Sequence, residues 1–192
     1  MNATTRAWAQ VPFSQPALVG DPDRHLSSEQ LDAAFSNIED TFVVDGGSLE
    51  AIVVRRIDGG RAQPSTAKVT TEDGLEGDRW VAGKAHPGDQ LSMMNVEVAA
   101  RIANGQSVAL FGDNLFTDLD IREEALPVGS RLQIGGVVVR VSAEPHVPCD
   151  RFRSRFGHAA FLRAAASIRI RGVYLTVEQG GPISVGDRVR RV

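Results

Sequence analysis

A β-rich α+β fold is predicted by three features of the sequence: short Val- and Ile-rich runs, the 19 Gly and nine Pro that keep interrupting them, and one clear hairpin over residues 127–143. Runs of this length separated by turn residues read as strands rather than helices. At 192 residues the chain can bury one good core with a small appendage, whereas a second full domain would be cramped. The expected division is an N-terminal arm with a short helix over residues 1–46 and a main domain over 47–192.

Residues 1–24 carry three prolines and no periodicity, so an extended arm is expected there. From Ser28, the apolar positions Leu31, Ala34, Phe35 and Ile38 follow helical spacing, with Ser28 as N-cap and the helix running to about Asp40. SLEAIVVRRI at 48–57 reads as a strand, the DGG at 58–60 as a turn, and residues 67–70 as a second short strand. In GLEGDRW at 74–80, Gly77 suggests a bend that presents the carboxylate of Asp78, although ordinary turns use the same residues.

LSMMN at 91–95 reads as a buried strand entering a helix capped by Asn95 and stopped by Asn104-Gly105. FGDNLFTDLDI at 111–121 interleaves apolar and acidic residues, the pattern of an edge strand with a polar face. There Asp113 and Asn114 either reach a pocket or pack at a strand end. RLQI and VVVRVSA, joined by Gly135-Gly136, form the hairpin. HAAFLRAAAS from 158 reads as a helix, and RGVYLTV with ISVGDRVRRV as a closing hairpin-like pair about Gly180-Gly181-Pro182.

Net charge is −3 with the two signs mixed, which gives no overall drive toward nucleic acid or an anionic membrane. No apolar run approaches the roughly 20 residues that span a bilayer, and no secretory signal pattern opens the chain, so a cytoplasmic protein is expected. One cysteine forms no intramolecular disulfide and holds no iron–sulfur cluster or thiolate-rich zinc site alone. Redox chemistry would therefore need a bound cofactor or a partner.

That cysteine, Cys149, lies in PHVPCDRFRSRFG at 145–157, among arginines and at the expected start of a short helix. A thiol reacts as its thiolate, a form that cationic neighbours favour; Arg151, Arg153 and Arg155 are placed to supply them, and Asp150 acts against it. A buried structural cysteine is the alternative, but arginines are costly to bury without partners, which favours a cleft or solvent. Alternate positions on a helix do not share a face, so only one or two of the three arginines should point inward. His146, three residues before the thiol, would orient or deprotonate it, or simply hydrogen-bond within the loop.

GLEGD at 74–78, GDNL at 112–115, PVGSRLQIGG at 127–136, PHVPCDRF at 145–152 and RGVY…GGPISVGDRV at 171–189 together resemble the MOSC domain, named for the C-terminal domain of molybdenum cofactor sulfurases. The order is the family's, over residues 47–192. RWVAGKAHPGD at 79–89 departs from it, keeping only His86 of a run that relatives often have rich in His and Gly. The resemblance implies a MOSC-type β-barrel-like domain with a few short peripheral helices. It also implies that Cys149 either ligates molybdenum in the molybdopterin cofactor or carries sulfur as a persulfide. Because molybdopterin carries a phosphate, Arg151, Arg153, Arg155 and Arg171 are the candidate cofactor-binding cations, with Asn114 and Asp78 as further candidate cofactor-binding residues.

Three functions are compatible with these residues. The first is reduction of N-hydroxylated small molecules at a molybdenum cofactor, with an external reductase as electron donor. The second is sulfur transfer from a separate pyridoxal-phosphate cysteine desulfurase, no domain of that kind being present in the chain. The third is a non-catalytic cofactor-binding module.

Overall fold

The computed structural model describes residues 19–83 and 86–192, so residues 1–18 of the expected arm lie outside the described residues. The strands in chain order are β1 (Gly47–Ile52), β2 (Val54–Arg55), β3 (Arg61–Ala62), β4 (Thr66–Thr70), β5 (Gly74–Leu75), β6 (Leu91–Asn95), β7 (Leu115–Thr117), β8 (Arg131–Ile134), β9 (Val137–Val141), β10 (Val173–Gln179), β11 (Gly181–Ser184) and β12 (Arg188–Arg191). The helices are α1 (Ser28–Phe35), α2 (Val96–Ala103), α3 (Asp150–Phe156), α4 (His158–Ala166) and α5 (Ile168–Arg171).

Seven strands close into a barrel in the order β1-β12-β8-β9-β10-β6-β7, with β7 returning to β1. The pairings are antiparallel except β6 with β7. Alternating strand residues such as Leu49, Leu132, Val139 and Leu175 fill the barrel at 0% exposure. The small sheet β11-β4-β5 adds Val69, Leu75 and Ile183 to the same core. A second core lies outside the barrel, where α1 to α4 pack around Phe111, Phe116, Phe152 and Phe156.

Local signals account for most of these elements. Gly135 turns the β8–β9 hairpin at φ 54°, a region that costs glycine little. Asn95 caps α2 by accepting from the backbone N–H groups of Glu97 and Val98 at 2.9 and 3.1 Å, and donates to the Leu119 carbonyl at 3.0 Å. Cys149 is the residue that opens α3, as expected.

Four expectations are corrected. The α1 cap is Ser27, whose hydroxyl accepts from Gln30 N–H at 3.2 Å while the Gln30 side chain accepts from Ser27 N–H at 2.8 Å. Helix α1 ends at Phe35, and a separate 3₁₀ turn follows at Ile38–Thr41. The supposed edge strand at 111–121 is instead β7, a fully buried barrel strand, and Asp113, Asp118 and Asp120 are buried with it because each finds a donor. The closing pair is not a hairpin: β10 joins β9 and β6, β11 joins β4, and β12 joins β1 and β8.

Residues 19–46 do not stand apart from the rest. Leu31 and Ile38 are buried in the second core, and Gly20 runs directly against α3, where an added Cβ would lie 2.1 Å from the Arg155 carbonyl oxygen. Gly20→Ala must therefore push two backbones apart, and a loss of about 1–3 kcal/mol in urea unfolding is expected.

Candidate functional site

Strand β2 continues β1 past Val53 and pairs with β3 so that Arg55 faces Arg61 across the ladder. Gly77, at φ 79°, bends the chain so that the Asp78 carboxylate turns inward onto Arg55. The Arg55 Nε and Nη2 groups donate to it at 2.8 to 3.1 Å, and the Arg55 backbone N–H donates to Oδ2 at 2.8 Å. The Trp80 N–H adds a bond at 2.9 Å and the Asn114 side-chain amide another at 2.9 Å.

Asn114 is fully buried and equally occupied. It donates to the Val53 carbonyl at 3.3 Å as well as to Asp78, and its Oδ1 accepts from the Ser92 N–H at 3.1 Å. Asp78 and Asn114 thus hold the 75–80 loop, β2 and β6 together beneath the site. Neither is among the side chains that line the recess above them.

That recess has a volume of about 130 Å3. Cys149, exposed, stands in its wall with His146, Ser92 and Tyr174, beneath six arginines: Arg55, Arg61, Arg79, Arg151, Arg155 and Arg171. Helix α3 sets the geometry on one side. Phe152 and Phe156, one turn apart, stack into the second core against Phe111, with ring centroids 5.7 and 4.0 Å away. Arg151 and Arg155, also one turn apart, are thereby directed to the recess. Arg153 is not: it pairs with Asp150 at 3.1 Å and lies over the Phe161 ring. Arg155 donates to the Leu110 carbonyl at 2.6 Å.

Arg171, at the end of α5, also lines the recess. It is 6% exposed, bonds Asp113 Oδ2 at 2.5 Å, sits over Phe152, and leaves its Nε without a partner. Asp113, at 0% exposure, turns its other oxygen toward His146 Nδ1 at 3.6 Å, too far for a hydrogen bond. The His146 ring lies against Tyr174 with centroids 4.1 Å apart.

Electrostatics follow from this crowding. Burial first, then repulsion from Arg79, Arg155 and Arg55, pushes the Arg61 guanidinium down to about 10, with Asp78 opposing. Arg79 and Arg155 are lowered for the same reasons, and negative charge on Cys149 opposes the shift of Arg155. Burial of the Tyr174 phenol pushes its pKa up, so the hydroxyl keeps its proton.

Burial, aided by Arg171 and Arg55 and opposed by Asp113, pushes His146 down to about 3. So weak a base is poorly suited to taking a thiol proton near neutral pH. Among the described residues no hydrogen bond joins it to Cys149, and its surroundings make it a neutral wall residue. The shift also affects stability. Because the unfolded imidazole titrates near 6.5, the unfolded chain binds the extra proton between pH 6.5 and about 3, so stability falls as pH drops through that window. Unfolding followed from pH 6.5 to 5, above the range of most carboxylates, should show a slope approaching about 1.4 kcal/mol per pH unit. His146→Asn should lack that component.

Arg55, Arg61 and Arg79 were not singled out in the sequence. A signal was present for two of them: Arg55 and Arg61 flank the DGG turn, and reading that turn as a hairpin would have set them side by side. Among the described residues no group of three or more His, Cys, Asp and Glu side chains converges as a metal site, and no helix is long and apolar enough to cross a membrane.

Fold and site together define a closed β-barrel protein with an exposed thiol in a cationic recess. A family model of the MOSC domain matches residues 85–190, more than half of the chain, and the chain belongs to that family, which is associated with the molybdenum cofactor. Among solved structures, YiiM from Escherichia coli is similar at 23% identity over 76% of this chain and 69% of that one, with a TM-score of 0.57. The YuaD protein from Bacillus subtilis is similar at 19% identity over 75% of this chain and 94% of that one, also with a TM-score of 0.57. These likenesses show a shared fold. No curated protein sequence matches.

Proposed function

We propose that this protein binds the molybdenum cofactor with Cys149 as a ligand to the metal, and reduces N-hydroxylated compounds with electrons from a separate reductase. The observation that carries this reading is the shared recess of an exposed thiol and Arg171, a nine-tenths buried guanidinium whose Nε has no partner. A thiolate is a soft ligand suited to a redox-active metal. Arg151, Arg155 and Arg171 offer the charge-assisted donors that a cofactor phosphate needs.

The recess is smaller than the roughly 300 Å3 at the low end of whole-ligand pockets. It therefore suits the charged part of the cofactor. With no cluster of protein ligands besides Cys149 among the described residues, the remaining donors to the metal would be the cofactor's own.

The net reaction cleaves an N–O bond: two electrons and two protons convert an N-hydroxyl group to N–H and water. The bound cofactor supplies the two-electron redox centre. The protein's own groups hold it by charge, keep a proton on the Tyr174 hydroxyl in the wall, and keep His146 neutral beside the site.

Protein purified from a host that makes the cofactor, supplied with a reductase and an N-hydroxylated compound, tests this reading. Molybdenum-dependent turnover is expected. A persulfide mass on Cys149 in molybdenum-free protein would instead assign it to sulfur transfer from a desulfurase. Retained molybdenum without turnover would leave a cofactor-binding module.

A further inference from the structure

A second cavity, of about 230 Å3, lies between the α1–β1 connection, α2, α4 and α5, and shares no lining residue with the recess. Its walls are apolar: Ile38, Val98 and Ile121 are buried there, and Ile170, Phe35 and Phe42 complete them. Two arginines rest on those rings, Arg163 with its guanidinium 4.5 Å from the Phe35 centroid and Arg122 5.4 Å from that of Phe42. A concave apolar body with a few charged groups is the usual make-up of a small-molecule site. The volume, below the roughly 300 Å3 of sites for drug-sized ligands, suits a single ring or a short alkyl chain.

The charged groups decide what head such a ligand carries. Arg122 is matched at 2.8 Å by Asp120, which is 3% exposed, and by the exposed Glu39. Arg163 and Arg169 are held differently. They line the cavity at 30% and 11% exposure, whereas their carboxylates, Asp32 and Glu123, lie outside the lining at 71% and 54%. Ion pairs turned to solvent are weak and screened, so a ligand inside meets the two cations more fully than their acids. Arg163 also has donors to spare: among the described residues only its Nη1 is bonded, to Asp32, and its buried Nε has no acceptor.

We propose that this cavity binds a small carboxylic acid with an apolar body, the body among the isoleucines and phenylalanines and the carboxylate on Arg163 and Arg169. Inorganic phosphate, with nothing apolar to bury, is left to the recess. Nothing in this site depends on the reductase reading.

Octanoate and octanol, the same chain with and without the charge, are the probes. Titrated into protein carrying carbon-13 in its Ile and Val methyl groups, octanoate should saturate and shift Ile38, Val98, Ile121 and Ile170. It should bind about tenfold tighter than octanol, as for one charge-assisted bond. Arg163→Gln should erase that preference and leave octanol binding in place. Asp32→Asn, at an exposed position, should act in the opposite direction: freed of its competitor, Arg163 should hold octanoate roughly threefold tighter, a gain that a merely structural ion pair does not give. Equal affinities for the two probes, a preference that survives Arg163→Gln, methyl shifts away from the cavity, or octanoate displaced by inorganic phosphate would each overturn the site.

Discussion

Asp78→Ala should lower folding stability by about 3–5 kcal/mol, the range for breaking one side of a buried ion pair. The carboxylate is 1% exposed and accepts from the Arg55 guanidinium, from two backbone N–H groups and from Asn114. Without it, Arg55 keeps its charge in a recess already crowded with cations, and the Asn114 amide loses an acceptor. For a chain of this length the melting midpoint should drop by roughly 10 °C. Asp78→Asn, which keeps the shape and one acceptor, should fall between the variant and the parent. An unchanged midpoint in Asp78→Ala would mean that the 75–80 loop is not held to β2 by this residue.

A loss of the same order, about 3–5 kcal/mol, is expected for Asp113→Ala. Here the stranded cation is Arg171, buried over the Phe152 ring and lining the recess. This variant carries a second signature. Inorganic phosphate offers Arg171 a replacement anion, so added phosphate should raise the midpoint of Asp113→Ala more than that of the parent protein. Thermal melts at several phosphate concentrations read both effects. Equal shifts in the two proteins would indicate that Arg171 is not reachable from the recess.

Legibility in the sequence tracks the range of the interactions. Gly135-Gly136, the Asn95 cap and the helix opened at Cys149 are set by neighbours within a few residues, and the structure has all three. So too with α3: helical spacing separates Arg153 from Arg151 and Arg155, and only the last two line the recess.

Elements decided by distant partners were not legible. The acids at 113, 118 and 120 alternate with apolar residues as if one face met water. Asp113, however, finds Arg171 58 positions away, and Asp118 accepts from the Ser48 N–H 70 positions away. Gly180-Gly181 reads as a turn, yet Gly180 is needed for close passage: a Cβ there would lie 2.6 Å from the Val69 carbonyl oxygen, so the glycine lets β11 lie along β4. Arginines invite a solvated reading one at a time, and only the closed barrel gathers six of them around one cavity.

The account depends on the sulfur at position 149 holding a metal-bearing cofactor rather than serving the fold. Its side chain is exposed, so Cys149→Ser should change stability by no more than about 0.5 kcal/mol. The deciding measurement is the molybdenum-to-protein ratio of parent and Cys149→Ser, purified side by side from a host that makes the cofactor. The account predicts a substantial ratio in the parent and near-complete loss in an equally stable variant; equal ratios in the two, or none in the parent, would contradict it.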